Sequence, residues 1–262
     1  MPVITAHACQ TSYQRIGSSP KTILLLHGWR NTWQAWSFLV ADLSREYTVL
    51  IPDLPGFGQS ESPKQGWSTN DYIAWLQNFL EKLEIQELEA VIGHSYGGKL
   101  AGYGWLNTST KLPPVKKGLY LLGSSGIPNR LPFFHRLLKT VLFVIPRSIK
   151  RNFFGAWRAK LYSWLDTDAD YLHSTLFQEE TLQKILGEDI RRRQKKPSSL
   201  PLHLFWGEND AASPLWMAYQ WIRTSTASDV FVIPSGSHFA HQQNPILFKQ
   251  WLQTWLQREG TK

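Results

Sequence analysis

The sequence predicts an α/β protein: a mostly parallel, doubly wound sheet with one helical segment inserted after the sixth strand. Three observations carry this. Short apolar runs recur along the 262 residues and several close on glycine. Patterns of helical period separate them, which is the rhythm of strand–helix–strand units in a parallel sheet. The rhythm breaks once, between about residues 127 and 199, and then resumes. A chain of this length can form one large core.

The elements follow in order. Val3–Ala6 and Thr11–Ile16 are read as short strands, with a turn at Gly17-Ser-Ser-Pro20. Thr22–Leu26 is a continuous apolar run, which suits a strand buried on both faces. A helix is expected from about Thr32 to Ser44, then a buried strand at Tyr47–Ile51. Ser68 precedes Asp71 by three residues, a capping-box spacing. Tyr72, Leu76, Phe79 and Leu83 follow on one helical face. Ala90–Ile92 is a fifth strand running into Gly93-His-Ser-Tyr-Gly-Gly98, with a helix expected to about Asn107. Gly118–Leu122 is the sixth strand.

The stretch after it is aromatic, basic and helical in pattern, and it ends in the polar run Arg191–Pro197. It is too long for a plain loop. The expected organisation is a core of residues 1–126 and 198–262, with 127–197 as a helical cap over the C-terminal strand ends, where α/β sheets bind ligands. Leu202–Trp206 and Val230–Ile233 are the last strands. Helices are expected near Pro214–Thr224 and after Pro245, the latter presenting Phe248, Leu252 and Trp255.

Composition narrows the function classes. Hydrophobic residues make up 42% and charged residues 18%, which excludes a disordered chain. The single cysteine, Cys9, permits no internal disulfide, and no zinc-type spacing is present. The first sixteen residues lack an apolar run flanked by positive charge, so a cytoplasmic location is expected. The net charge is +8, but the excess sits in one segment: Arg130–Lys196 holds 14 Lys/Arg against 7 Asp/Glu. No nucleic-acid motif accompanies it, so no nucleic-acid partner is expected. Arg147, Lys150, Arg151, Arg158 and Lys160 surround Phe153, Phe154 and Trp157. A solvated basic edge over packed aromatics is the plain account. Contact of the cap with an anionic membrane is the sharper expectation.

Gly93-His94-Ser95-Tyr96-Gly97 fits G-x-S-x-G between a strand and a helix, the context that motif demands. Ser95 in a tight turn is the candidate nucleophile, and the turn requires small residues two before and two after it. A serine hydroxyl needs a base. His238, just past the last strand, is preferred over His241, three residues further on. An orienting carboxylate is needed in turn. Asp210, in the turn after Leu202–Trp206, fits the order Ser…Asp…His. Glu208 and Asp53 are the alternatives. The turn Gly123-Ser-Ser-Gly126 offers no carboxylate. Oxyanion stabilisation needs two backbone N–H groups, and Tyr96 and Trp29 are the candidates. His94 is the candidate pocket-lining, substrate-binding residue. No residue set for a metal is found.

Taken together, His27-Gly28-Trp29, Asp53-Leu-Pro-Gly-Phe-Gly-Gln-Ser60, Gly93-His-Ser-Tyr-Gly-Gly98, Trp206-Gly-Glu-Asn-Asp210 and Gly236-Ser-His238 resemble the α/β-hydrolase superfamily, in its serine-carboxylesterase form with a helical lid. The resemblance runs from about Thr22 to the end. It implies a Ser95–His238–Asp210 triad, an acyl-enzyme released by water, and no metal or organic cofactor. It makes the Asp53 turn structural. Relatives that open epoxides or remove halide resemble one another in an elbow aspartate; here the residue is Ser95. Cofactor-free perhydrolases carry methionine after the serine; here it is Tyr96. Carbon–carbon hydrolases of ring-cleavage products usually carry extra glycines after the first His-Gly and a tryptophan after the histidine; here Trp29-Arg30-Asn31 and Phe239 stand there. A small-molecule carboxylic ester is the expected substrate. The alternatives are a carbon–carbon or other triad hydrolase, and a non-enzymatic binder of the same fold. The oligomeric state is not predicted.

Overall fold

A computed structural model describes residues 1–107, 110–128, 175–194 and 196–258. Eight strands form one sheet: β1 (Val3–Ala6), β2 (Cys9–Ile16), β3 (Thr22–Leu26), β4 (Thr48–Pro52), β5 (Ala90–His94), β6 (Leu119–Leu122), β7 (Leu202–Gly207) and β8 (Ser228–Ile233). Their spatial order is β1-β2-β4-β3-β5-β6-β7-β8. The first two strands pair antiparallel, and β2 pairs antiparallel with β4. From β4 across to β8 every pair is parallel. The sheet is therefore mostly parallel, as the sequence predicts. The chain runs outward from β3 to β4 and then crosses to β5 on the other side. That reversal opens a crevice at the C-terminal ends of β3 and β5.

The buried strands read as continuous apolar runs because the sheet has a core on each face. Side chains alternate across a strand, so Leu24, Leu50, Val91, Leu121, Leu204 and Trp206 pack into one core. Ile23, Leu25, Val49, Ile92, Leu122 and Phe205 pack into the other. Helices α1 (Ser37–Leu43), α2 (Thr69–Lys82), α3 (Tyr96–Trp105), α4 (Leu176–Leu186), α5 (Trp216–Ile222), α6 (Ala240–Gln243) and α7 (Pro245–Gln257) accompany the sheet among the described residues. Residues of α2, α3, α4 and α5 join the first core, and those of α1, α6 and α7 the second.

The Ser68–Asp71 capping box forms: Asp71 Oδ2 accepts from Ser68 N at 2.7 Å, and Ser68 Oγ from Asp71 N at 3.4 Å. The buried stripe of α2 is wider than the one read from the sequence. It adds Ile73, Trp75 and Leu80, while Leu83 is only the C-terminal cap. The helix expected over 32–44 divides into a 3-10 turn, Trp33–Trp36, and α1. The β1–β2 turn went unread because neither of its central residues is a glycine. His7 and Ala8 both take positive φ, 50° and 57°, the conformation a tight two-residue hairpin needs.

Residues 129–174 lie outside the described residues. So do the aromatics Phe133, Phe134, Phe153, Phe154 and Trp157 and the basic residues Arg147, Lys150, Arg151, Arg158 and Lys160 of the expected cap. The described end of that segment is anchored on the core. Phe177 and Ile185 of α4 are buried with residues of α2 and α3. Gly66 N and Trp67 N donate to Glu180 and Thr181, both at 2.8 Å. The buried ammonium of Lys99, on α3, donates to Ile185 O at 2.6 Å and pairs with Glu188 at 3.0 Å. No helix among the described residues is long and apolar enough to cross a membrane.

Candidate active site

Every residue of the site stands where a parallel strand stops. Strand β5 ends at His94, and α3 begins at Tyr96. Ser95 alone makes the corner, with φ 52° and ψ −113°. A non-glycine residue at positive φ is strained. The surroundings fix the strain. Ser95 N extends the β5–β6 ladder to Leu122 O at 2.9 Å, and Ser95 O accepts from Lys99 N at 3.1 Å and Ser125 N at 3.2 Å. The flanking glycines are demanded by contact. A Cβ on Gly97 would lie 2.2 Å from Leu26 O, and one on Gly93 would lie 2.6 Å from the backbone of Gly97 and Gly98. The expected small residues two before and two after Ser95 thus have a steric cause.

Asp210 and His238 form a pair. His238 Nδ1–H donates to the Asp210 carboxylate, at 3.0 Å from Oδ1 and 2.9 Å from Oδ2. Asp210 Oδ1 also accepts from Ser213 N at 2.7 Å. The Asp210 carboxylate is fully buried, and the imidazole is 17% exposed, so one member faces the protein and the other the crevice. The loops after β7 and β8 are clipped together by Glu208 N to Ile233 O at 3.0 Å and Asn209 N to Gly236 O at 2.8 Å. Trp206 Nε1 donates to Ser213 O at 2.6 Å, which holds the acid's turn from below. Among the described residues, no hydrogen bond joins Ser95 Oγ to His238. Such contacts are often long without substrate.

The other sequence candidates take separate places. Glu208 accepts from Ser235 N at 2.9 Å and so shapes the histidine's loop. Asp53 accepts from Trp33 N at 2.7 Å and Gln59 N at 2.9 Å, a loop-holding role. His27 accepts from Leu54 N at 2.9 Å and donates to Gly28 O at 2.8 Å. Burial pulls its pKa down to about 4, against the raising effects of that carbonyl and of Asp53. His241 is buried on α6, and burial with the nearby His238 lowers it to about 3. His94 is also buried, with Nε2 on His238 O at 3.0 Å.

Tyr96 is the first residue of α3, so its N–H has no intrahelical acceptor. Trp29 sits on the loop after β3. Its ring meets Phe57 edge-on at 4.9 Å and Tyr96 at 5.5 Å. A Cβ on Gly28 would lie 3.2 Å from that of Ser95, which places this loop's backbone beside the serine.

Sequence reasoning missed Gly123. It follows β6 at φ +48°, and a Cβ there would lie 2.9 Å from Asp210 Oδ2 and 3.2 Å from His238 Nδ1. The acid–histidine pair rests on this glycine. The signal was a glycine at a strand end between the serine's strand and the acid's.

The model of the Alpha/beta hydrolase family matches residues 23–250. An uncharacterized hydrolase, YugF, of Bacillus subtilis is 25% identical over 256 residues, covering 91% of this chain and 90% of the relative. An esterase from Exiguobacterium antarcticum superimposes with a TM-score of 0.76 at 16% identity, covering 98% of this chain and 99% of that one. A meta-cleavage product hydrolase from Pseudomonas fluorescens gives 0.67 at 19% identity, covering 97% of both. The two solved structures share the fold, and the family match spans most of the sequence. The chain belongs to the α/β hydrolase family.

Proposed function

We propose that this protein is a serine hydrolase that cleaves small-molecule carboxylic esters, with Ser95 as nucleophile, His238 as general base and acid, and Asp210 as orienting carboxylate. The observation that carries the reading is the 2.9 Å Asp210–His238 pair, its carboxylate buried, at the same sheet edge as the strained Ser95 elbow. Because Nδ1 of His238 donates to Asp210, Nε2 is the nitrogen left to accept the serine proton. Ser95 Oγ then bonds to the ester carbonyl carbon as that proton passes to His238. The negative charge on the carbonyl oxygen is taken by the N–H groups of Trp29 and Tyr96. Collapse breaks the bond to the alcohol, which leaves with the proton from His238. Water, deprotonated by His238, attacks the acyl-enzyme, and Ser95 regains its proton as the carboxylic acid departs. In this reading residues 127–197 are the cap over the crevice, and α4 is its anchored end.

The test is turnover of p-nitrophenyl esters from acetate to palmitate by wild type and Ser95→Ala, beside labelling with a fluorophosphonate. Turnover that the variant loses supports the reading. Labelling of Ser95 without ester turnover moves the substrate toward carbon–carbon bonds. Absence of both overturns the enzymatic reading.

A further inference from the structure

His94 immediately precedes the elbow serine, yet it is 3% exposed. Its Nε2–H donates to the carbonyl oxygen of His238 at 3.0 Å. Its ring lies 4.7 Å from the His238 ring, 4.6 Å from His241 and 5.2 Å from Phe239. A Cβ on Gly28 would come within 2.9 Å of its Nδ1, so the oxyanion loop closes the remaining side. The imidazole is thus boxed by the loops after β3 and β8 and by α6. We propose that His94 is a positioning residue: it fixes the backbone of His238 by this hydrogen bond, and so aims the imidazole between Asp210 and Ser95 rather than touching substrate.

The inference rests on the triad reading above. The chemistry suits the role. Burial, with His241, His238 and His27 nearby, holds His94 well below the ordinary histidine range even though the His238 carbonyl favours its charged form. It therefore stays a neutral donor, and no second positive charge competes with the imidazolium that forms on His238. The bond also spans 144 residues of sequence, tying the nucleophile's strand end to the base's loop. A hydrogen bond from the residue beside the nucleophile to the backbone of the base fixes one against the other, and small misplacements of such groups cost large factors in rate.

The test compares His94→Leu, which removes the donor at similar volume, with His94→Gln, which keeps an N–H donor. Two readouts are taken: the rate of Ser95 labelling by fluorophosphonate and the kcat and KM of ester turnover, each per folded protein. The expected result is a labelling rate and kcat about 10- to 100-fold lower in His94→Leu at every pH, KM nearly unchanged, and most of the rate recovered in His94→Gln. Rates within about twofold of wild type in His94→Leu would overturn the inference, as would a loss carried by KM alone, the mark of a substrate contact. Should His94→Leu not fold, His94→Gln decides: recovered labelling supports the role, and loss as deep as that of Ser95→Ala refutes it. Failure of wild type to label at all would overturn the triad and this inference together. Wild-type labelling with an unaffected His94→Leu overturns this inference alone.

Discussion

Acid should begin to destabilise this protein while its carboxylates are still ionised, because His27, His94 and His241 are buried as neutral rings, each 3% exposed or less. Burial is the largest cause lowering each of them. It takes His27 to about 4 and His241 to about 3, and holds His94 well below the ordinary range. When the folded-state pKa lies below the unfolded one, the unfolded chain carries a proton that the native chain lacks throughout the interval between them. Stability is then complete above the unfolded value near 6.5 and drains away as pH falls toward 4. Each such histidine removes about 1.4 kcal/mol per pH unit, so the three together remove roughly 4. Between pH 6.5 and about 4 that amounts to about 10 kcal/mol, set against a total stability of about 5–15 kcal/mol. The assay is urea denaturation followed by tryptophan fluorescence from pH 7.5 to 4.5, with the slope of stability against pH read as protons taken up. His241→Leu tests the source: any packing cost is the same at each pH and shifts the line, whereas loss of the titrating ring lowers the slope by one proton. A wild-type slope below about one proton between pH 6 and 4.5, or an unchanged slope in His241→Leu, would refute the argument. Asp189 enters only lower. Burial raises its carboxyl, but hydrogen bonds and charge from Arg191 hold it below the usual range, so its share is lost beneath about pH 4.

Three further outcomes follow from the site and its supports. Gly123→Ala places a methyl against Asp210 and His238 at positive φ; kcat should fall about 10- to 100-fold with KM little changed, and a wild-type kcat would show that the pair does not need the gap. Asp210→Asn keeps the shape but lets the amide donate to His238 Nδ1; kcat should drop about a thousand- to ten-thousand-fold with the fold intact by circular dichroism. Lys99→Met removes the counter-ion of the part-buried Glu188 carboxylate, which keeps its Thr69 hydrogen bonds, and takes one of its donors from Ile185 O; the cost should be about 3–5 kcal/mol by urea denaturation. In the double variant Lys99→Met/Glu188→Gln the cost should be smaller than in Lys99→Met alone, and an equal or greater loss would exclude the ion pair as its source.

The candidate site could be read from the sequence because its parts are local. Ser95, Asp210 and His238 each sit within a few residues of a strand end, and apolar runs with glycine stops announce strand ends in the sequence itself. What escaped were the contacts that only the assembled sheet creates. Nothing near Gly123 in sequence says that the acid and the histidine will be set down against it; the parallel register of β6 with β7 does that. Lys99 was unreadable for the same reason. A lysine four residues past Ser95 looks like a solvated helix face until α4 and Glu188 fold back over it. His94 is expected from the sequence as pocket lining; in the folded chain it is buried, and its ring faces the loop of His238. The chemistry at such an edge is therefore spelled by the residues at strand ends. In the proposed mechanism its alignment is supplied from a layer beneath, where Gly123 leaves room, His94 donates, and Ser213 and Trp206 brace Asp210. That layer is where substitutions should lower kcat without touching KM, which separates it in a kinetic scan from residues that meet the substrate.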